Sequence, residues 1–239
     1  MRFAIVLAGG VGKRMGANVP KQFLSVDGKP VLAFTLEAFQ RHANIDAIEV
    51  VCVEGYEDAV KEIVEKYGIT KFKWTAKGGE TCQESIRNGL YNLEDVVSED
   101  DTVIIHLASY PMIDEESITS CYEVAEAHPG SSSAAAAPVD TLTFCTDDGV
   151  CSNAYYPREK LKVITSPLGY NYGDVLALYK QAYAEGKGIE GTVYSDTLYI
   201  DYGKGVYFSK APKYNVKITR PEDIDMFKAV LALNEKGNN

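Results

Sequence analysis

The sequence has few of the residues on which several familiar kinds of site depend. It contains three histidines and five cysteines among 239 residues, and no two cysteines form a C-x-x-C pair. An odd number of irregularly spaced cysteines argues against both a disulfide framework and a zinc site. The sequence also lacks the Gly-x-Ser-x-Gly turn of many serine hydrolases. We therefore expect reduced thiols and no chemistry of that hydrolase type.

Positive charge and long apolar runs are scarce as well. The 24 Lys and Arg residues face 34 Asp and Glu residues, so the formal net charge is −10, which disfavours a nucleic-acid partner. No apolar run approaches the roughly 18 residues of a membrane span, and the N-terminus lacks the features of a signal peptide. We predict a cytoplasmic protein with no membrane partner. A phosphate site in such a chain would need a local concentration of cations, with a metal ion.

The most informative stretch lies at the N-terminus. An apolar run over residues 3–7 is typical of a buried parallel strand, and a cluster of glycines and cations follows it. Backbone N–H groups of a glycine turn can hold an anion, and nearby cations add charge. The stretch matches neither the P-loop nor the dinucleotide fingerprint, in which Met15 would have to be glycine. It predicts a triphosphate-binding loop made of Ala8, Gly9, Gly10, Gly12, Arg14 and Lys21.

Apolar runs and amphipathic segments alternate along most of the chain. Strands are predicted near 48–53, 72–75, 102–106 and 133–139, and helices near 30–39, 57–67, 84–93, 115–127 and 174–185. This alternation predicts a Rossmann-like α/β fold, with a mostly parallel sheet and helices on both faces. Ligands bind such sheets outside the carboxyl ends of the strands. The loops after Leu7, at Gly78 and after His106 should therefore share one cleft.

One region departs from this alternation. Residues 141–145, 147–149 and 163–165 are predicted as strand, turn and strand, because Asp148-Gly149 is a strong hairpin signal. A hairpin inserted in a parallel sheet would protrude as an arm. We predict one domain over residues 1–239 with this arm, about 141–167, inserted. Farther on, residues 206–209 are predicted as an edge strand, and Lys217 as part of a strand before a last helix that starts at Pro221.

Several segments together resemble a known enzyme family. They resemble nucleotidyltransferases and, more narrowly, the cytidylyltransferases that act on methylerythritol phosphate and ribitol phosphate. The Leu-Ala-Gly-Gly form at the N-terminus favours the ribitol phosphate branch. The matching segments are Leu7-Ala-Gly-Gly-x-Gly-x-Arg-Met15, Pro20-Lys21-Gln22, Gly78-Gly79, Ser85-Ile86-x-x-Gly89-Leu90, Ala137-Pro138-Val139-Asp140-Thr141 and Asn215-Val216-Lys217-Ile218-Thr219-x-Pro221-Glu222-Asp223.

The resemblance implies a reaction and roles for particular residues. A cytidylyltransferase of this kind transfers CMP from CTP to a polyol phosphate and releases pyrophosphate, with Mg²⁺ as cofactor. Arg14, Lys21 and Lys217 would be catalytic, and no metal-ligating residue is assigned. Thr141 and Arg158 on the arm would bind the acceptor in the neighbouring subunit's site, which implies a homodimer with exchanged arms. The nucleotide-binding residues would be Ala8, Gly9, Gly10, Gly12, Gly78, Gly79 and Ser85.

The segments expected to face the acceptor depart from the family pattern. Leu107 and Tyr110 stand in a segment where the family has His-Asp-Ala-x-Arg-Pro, and Cys82 stands at the position of a family arginine. Ser166-Pro167-Leu168 replaces Thr-Pro-Gln, and Tyr194-Ser195-Asp196 replaces Thr-Asp-Glu. These departures leave other interpretations open. They are a methylerythritol phosphate cytidylyltransferase of isoprenoid synthesis, a sugar-1-phosphate nucleotidyltransferase using UTP or dTTP, and a nucleotide-binding protein without catalysis.

Overall fold

The computed structural model describes residues 1–10, 19–146, 148–190 and 194–237. The helices are α1 (Val31–Arg41), α2 (Glu57–Lys66), α3 (Cys82–Asn92), α4 (Glu115–Ala127), α5 (Tyr172–Glu185), α6 (Ser195–Asp201) and α7 (Glu222–Gly237). The strands are β1 (Arg2–Ala8), β2 (Ser25–Val26), β3 (Lys29–Pro30), β4 (Ala47–Cys52), β5 (Phe72–Lys77), β6 (Thr102–Leu107), β7 (Ser132–Pro138), β8 (Thr143–Cys145), β9 (Ala154–Tyr156), β10 (Lys162–Asn171) and β11 (Val206–Lys210).

Within the described residues, the central sheet has seven strands in the order β11-β7-β10-β6-β1-β4-β5. The pairs β1–β4, β1–β6, β4–β5 and β7–β11 are parallel. Strand β10 alone runs antiparallel to its neighbours β6 and β7. The structure therefore confirms the prediction of a Rossmann-like α/β fold with a mostly parallel sheet.

Helices cover both faces of this sheet. Phe3 and Ile5 of β1 belong to a core cluster that includes residues of α3, α5 and α6, whereas Ala4 and Val6 belong to one that includes residues of α1, α2 and α4. Successive side chains of a strand point to opposite faces, so β1 is buried on both. Its sequence is a continuous apolar run for this reason, and does not alternate between apolar and polar residues.

Helix α3 is held close to the sheet and positions the loop before it. Thr81 Oγ1 accepts the Glu84 backbone N–H at 3.1 Å, and the Glu84 carboxylate accepts the Thr81 N–H at 3.3 Å, which forms a capping box. A Cβ on Gly89 would lie 2.8 Å from Val51 Cγ2 and 3.0 Å from Ile5 Cγ2. Only glycine allows this approach of the helix to β1 and β4.

The predicted hairpin exists, but its second strand is different. Strand β8 pairs antiparallel with β9 in a separate two-stranded sheet. Residues 163–165 instead belong to β10 and pair with Ala135–Ala137 of β7, so their assignment to the hairpin was wrong. The connection is also longer than a two-residue Asp148-Gly149 turn, since β8 ends at Cys145 and β9 begins at Ala154. Within it, the Asp148 carboxylate accepts the backbone N–H groups of Val150 and Cys151. Asp147 lies outside the described residues.

Two further differences concern the last third of the chain. Helix α6 was not predicted, since it is short and follows a segment without clear periodicity. Lys217 lies in an irregular segment between β11 and α7, so its prediction as part of a strand was wrong. That segment is held by individual tertiary contacts that periodicity does not report, among them the hydrogen bond from Ile218 N–H to the Ser109 carbonyl at 2.8 Å.

Candidate active site

The carboxyl ends of β1, β5 and β6 face a cleft of about 670 Å³. Such strand ends are the usual position of a ligand site in parallel sheets. Described residues from separate segments line the cleft, namely Gly9 with Gly10, Lys21 with Gln22, 79–82 with Ser85, 107–109, and Tyr194 with Lys217. The three loops that the sequence places at this edge of the sheet thus meet in one cleft.

Two glycine loops pack against each other in the wall of this cleft. A Cβ on Gly78 would lie 2.9 Å from the Cα of Gly9, so a side chain there would force the backbones apart. Ser85 Oγ accepts the Gly79 N–H at 3.0 Å and donates to the Thr81 carbonyl at 3.0 Å. The close approach explains both glycines structurally, and Ser85 fixes the loop that faces the cleft.

Lys21 is fixed in position by its neighbours in sequence and in space. It begins a short 3₁₀ turn, Lys21–Phe23, in which the buried Gln22 donates its side-chain N–H to the carbonyl of Ala8 at the end of β1. The Lys21 ammonium donates to the Ile218 carbonyl at 2.8 Å. These contacts join the segment after the first strand to the segment that carries Lys217.

Lys217 also lines the cleft, and its ammonium lies near two tyrosines. Its ammonium donates to the Tyr194 hydroxyl at 3.0 Å and lies 5.3 Å from the centre of the Tyr110 ring. Burial lowers the pKa of Lys217, but the hydrogen bond to Tyr194 and the attraction of both phenols raise it overall. The side chain is therefore a protonated ammonium at neutral pH, which can attract an anion into the cleft.

His106 directly precedes the lining residues 107–109 but does not belong to the described lining of the cleft. Its ring is completely buried, with Nδ1 2.8 Å from Ser166 Oγ and Nε2 3.0 Å from the Tyr110 carbonyl. Ser166 Oγ also accepts the Leu107 N–H, so we assign the Ser166 hydroxyl as the donor to His106 Nδ1. The ring proton is then on Nε2, which donates to the Tyr110 carbonyl. Burial lowers the pKa of His106 to about 4. The histidine is neutral and holds the turn that contains Tyr110.

Some of the predicted site residues are not among the described residues that line this cleft. Gly12 and Arg14 lie outside the described residues. Thr141 and Arg158 are exposed beside the β8–β9 ribbon, and neither belongs to the described lining of the cleft. The Arg158 guanidinium lies 3.7 Å from the Glu159 carboxylate. The roles of these four residues stay predictions.

The cleft wall is apolar at two positions where the family pattern has charged residues. Leu107 and Cys82 both line the cleft, and burial raises the pKa of the Cys82 thiol, which is therefore neutral. Tyr194 and Gln22 also line it, and sequence reasoning gave neither a role. The Pro-Lys-Gln segment carried a signal for Gln22, whereas no periodic pattern surrounds Tyr194.

The described residues do not by themselves form a metal site. No group of three His, Cys, Asp or Glu side chains suited to a metal ion occurs among them. Mg²⁺ is usually held by one or two carboxylates together with substrate phosphates and water. In the described lining of the cleft, Glu80 is the acidic residue. A magnesium ion would therefore depend mainly on oxygens of a bound triphosphate.

A parallel α/β sheet whose first glycine loop and two lysines meet in one cleft has the architecture of a nucleotidyltransferase. Comparison with known proteins identifies the family within this class to which the chain belongs. The family model described as 2-C-methyl-D-erythritol 4-phosphate cytidylyltransferase (IspD) matches residues 3–233. The chain belongs to this family of CTP-dependent cytidylyltransferases.

Curated relatives resemble the chain over nearly its whole length. A ribitol-5-phosphate cytidylyltransferase from Lacticaseibacillus paracasei is 36% identical, with 97% of this chain and 98% of that protein covered. A 2-C-methyl-D-erythritol 4-phosphate cytidylyltransferase from Clostridium botulinum is 33% identical, with 95% and 96% covered. Both substrates named here are those of the relatives.

The fold agrees with solved structures of the family. The 4-diphosphocytidyl-2C-methyl-D-erythritol synthase from Anaerococcus prevotii superposes with a TM-score of 0.81 over 97% of this chain and 96% of that one. Its sequence identity is 24%, so this likeness supports the fold alone. Among the described residues, no helix is both long and apolar enough to span a membrane.

Proposed function

We propose that the chain transfers CMP from CTP to ribitol 5-phosphate or a closely similar polyol phosphate, giving a CDP-polyol and pyrophosphate. The observation that carries this proposal is the convergence of the Gly9 loop, Lys21 and Lys217 on one cleft in a chain of the cytidylyltransferase family. Relatives from three genera that are 34–36% identical over at least 97% of the chain are named ribitol-5-phosphate cytidylyltransferases.

The chemistry of this transfer requires no general base from the protein. The acceptor is a phosphate monoester whose second pKa is near 6, so it is largely a dianion at pH 7. An acceptor oxygen attacks the α-phosphorus of CTP, and the bond to the pyrophosphate oxygen breaks. His106 is not placed to act as a general base, since it is buried outside the described lining of the cleft and burial lowers its pKa to about 4.

The protein would instead position the reactants and stabilise charge on the leaving pyrophosphate. Backbone N–H groups of Gly9 and Gly10 would face the triphosphate, together with the ammonium groups of Lys21 and Lys217, which line the same cleft. Arg14 would add a third cation from the same loop. Since the chain is acidic overall, such local cations are what allow two anionic substrates to meet.

Selectivity for the base would come from the Gly78–Ser85 loop. Gly79 and Ser85 line the cleft, and the hydrogen bonds of Ser85 Oγ to Gly79 and Thr81 hold the main chain of this loop in one conformation. Fixed backbone groups can distinguish the hydrogen-bonding edge of cytosine from that of a purine. Gly78 supports this loop by packing against Gly9.

The acceptor would be bound with the help of a second subunit. Thr141 and Arg158 lie beside the exposed β8–β9 ribbon, whose apolar side chains Phe144 and Tyr155 are 59% and 67% exposed. A two-stranded ribbon is marginally stable alone and needs a surface to lie on. We therefore propose a homodimer in which each arm reaches the neighbouring cleft.

We propose that the reaction depends on Mg²⁺. Mg²⁺ bound to the triphosphate would neutralise part of its charge, and addition of EDTA should then abolish turnover until excess Mg²⁺ is restored.

We propose a cytoplasmic location, because CTP and polyol phosphates are substrates of the cell interior.

The decisive experiment measures pyrophosphate release from CTP with a panel of acceptors. Rapid release with ribitol 5-phosphate is expected. Release only with 2-C-methyl-D-erythritol 4-phosphate would support the alternative named by the 33% identical relatives. Release only with UTP or dTTP and a sugar 1-phosphate would indicate a different nucleotidyltransferase. Binding of CTP without release for any acceptor would indicate a non-catalytic nucleotide-binding protein.

A further inference from the structure

The charged head of Lys217 is surrounded in an unusual way for a half-buried ammonium. Among the described residues it forms no ion pair with a carboxylate. Its neighbours are the phenols of Tyr110 and Tyr194. The ammonium is much nearer to the Tyr194 hydroxyl, at 3.0 Å, than to the Tyr194 ring centre, at 5.6 Å. The contact with Tyr194 is therefore mainly a hydrogen bond.

Both tyrosines are fixed by contacts behind the cleft. The Tyr194 carbonyl accepts the Thr197 hydroxyl at 2.7 Å and the Gln83 amide at 3.4 Å, which joins it to α6 and α3. Tyr110 is buried, and its carbonyl accepts the Nε2–H of the buried His106. These contacts hold the main chain at both tyrosines, and both phenols lie beside the Lys217 ammonium in the protein without substrate.

We propose that Tyr110 and Tyr194 are positioning residues for Lys217, holding its ammonium at the triphosphate without neutralising it; this rests on the proposed function. A carboxylate in the same place would pair with the ammonium and compete with the phosphates. A phenol hydroxyl accepts one of the three N–H groups and leaves the positive charge in place. The remaining N–H groups are then directed by the tyrosines and available to a bound anion.

The sequence supports the same conclusion from another direction. Tyr110 stands where the family pattern has an arginine, and Leu107 where it has an acidic residue. In this chain both charges are replaced together, and Lys217 is held by neutral groups. The two phenols therefore distinguish this cleft from the family pattern, and their contact with Lys217 follows from the structure and not from a sequence motif.

A double-mutant cycle tests this inference. Tyr194→Phe keeps the ring and removes the hydroxyl, and we expect kcat/KM for CTP to fall about tenfold, as for the loss of a hydrogen bond to a charged group. In a Lys217→Ala background the same change should alter kcat/KM by less than about twofold, because its target is gone. Tyr110→Phe should give a smaller loss that also depends on Lys217. Tyr202→Phe, which removes a hydroxyl bonded to Glu185 outside the cleft, is the matched control and should change nothing.

Two results would overturn the inference. An equal loss from Tyr194→Phe with and without Lys217 would mean that Tyr194 acts on the substrate or on folding. No loss in the parent background would mean that the hydrogen bond is dispensable. If the parent protein releases no pyrophosphate with any acceptor, the proposed function fails. The same cycle measured on CTP affinity by calorimetry then decides the inference by itself, with the same coupling expected.

Discussion

The ammonium of Lys21 donates a hydrogen bond to the backbone carbonyl of Ile218, 2.8 Å away and 197 residues distant in the sequence. Ile218 follows Lys217, and its own N–H donates to the carbonyl of Ser109 at 2.8 Å. Three segments therefore meet at one residue. The two lysines proposed to hold the triphosphate are linked through this main-chain group, so their separation is set by the fold and does not depend on substrate.

Replacing Lys21 by alanine should reduce turnover far more than nucleotide binding. A donor directed at charge that develops in the transition state contributes roughly 3–4 kcal/mol, about 10²–10³ in rate. CTP affinity should fall modestly, because Lys217 and the loop N–H groups remain. The lost bond to Ile218 should lower the free energy of unfolding by about 1.5 kcal/mol. Steady-state kinetics, CTP titration and thermal unfolding measure the three effects.

Lys61→Ala is the control, since Lys61 is exposed on α2 and pairs with Asp58. It should leave all three quantities unchanged. Equal, small decreases in affinity and turnover for Lys21→Ala would mean that Lys21 attracts the substrate by its charge and does not stabilise the transition state. No change in either would contradict the site proposed here.

CTP should bind more tightly than UTP, ATP or GTP. The expected reason is the fixed loop at Gly79 and Ser85. Competition titrations against labelled CTP measure the preference, and equal affinities for CTP and ATP would contradict it.

Ser85→Ala should weaken CTP binding roughly threefold to tenfold, because the Gly79 N–H loses its acceptor. Ser152→Ala on the exposed arm is the control for the same chemical change.

The protein should sediment as a dimer at micromolar concentration. Phe144 and Tyr155 face each other across the β8–β9 pair, and both are largely exposed. Phe144→Asp should shift the equilibrium to monomer and lower activity, since the arm then places a charge in the proposed interface. Val96→Asp changes another exposed apolar residue, 51% exposed and away from the arm, and should leave the dimer intact. A fully active monomeric parent protein in analytical ultracentrifugation would refute the arm exchange.

The stability of the fold should decrease as the pH rises from about 5 to about 8, in part because of Glu49. Its carboxyl is completely buried, and Asn92 Nδ2–H donates to Glu49 Oε1 at 2.7 Å while the buried Oε2 has no hydrogen-bond partner among the described residues. Burial raises the pKa of Glu49 to about 8. The folded state keeps this proton where the unfolded chain releases it near its ordinary pKa. Stability is therefore full below the unfolded pKa and is lost towards the folded pKa.

Glu49→Gln removes the proton that titrates, so its unfolding free energy should vary less between pH 5 and pH 8 than that of the parent. Each unit of pKa shift corresponds to about 1.4 kcal/mol, which makes the difference measurable by denaturant unfolding. Glu62→Gln on the exposed face of α2 is the control. Identical pH profiles for the parent and Glu49→Gln would contradict the assignment.

Much of the fold was predictable because its signals are local. The run over residues 3–7 is apolar at every position because β1 is covered on both faces, and the prediction of α4 over 115–127 agrees with the structure. The arm was harder, because residues 163–165 could pair with residues 141–145, as predicted, or with β7, as observed. Only the competition between those two partners decides, and the central sheet provides the more extensive pairing.

Part of the site could also be inferred from the sequence. Gly9, Lys21 and Lys217 are marked by residue type and by their neighbours in the chain, and all three line the cleft. Tyr110 and Tyr194 stand out in the sequence only as departures from the family pattern, and since a tyrosine occurs in cores and on surfaces alike, neither position predicts a contact with Lys217. Their relation to Lys217 appears only when segments before α4, before α6 and before α7 are brought together.

Short segments of the sequence already specify the alternation of strands and helices, the glycine loop and the cations near it, because these follow from periodicity, backbone freedom and local charge. The tertiary structure alone decided that the Lys21 ammonium bonds to Ile218, that His106 is buried and neutral, and that two phenols surround Lys217. Those relationships depend on burial and on distances between residues far apart in the chain, and such quantities exist only after the chain has folded.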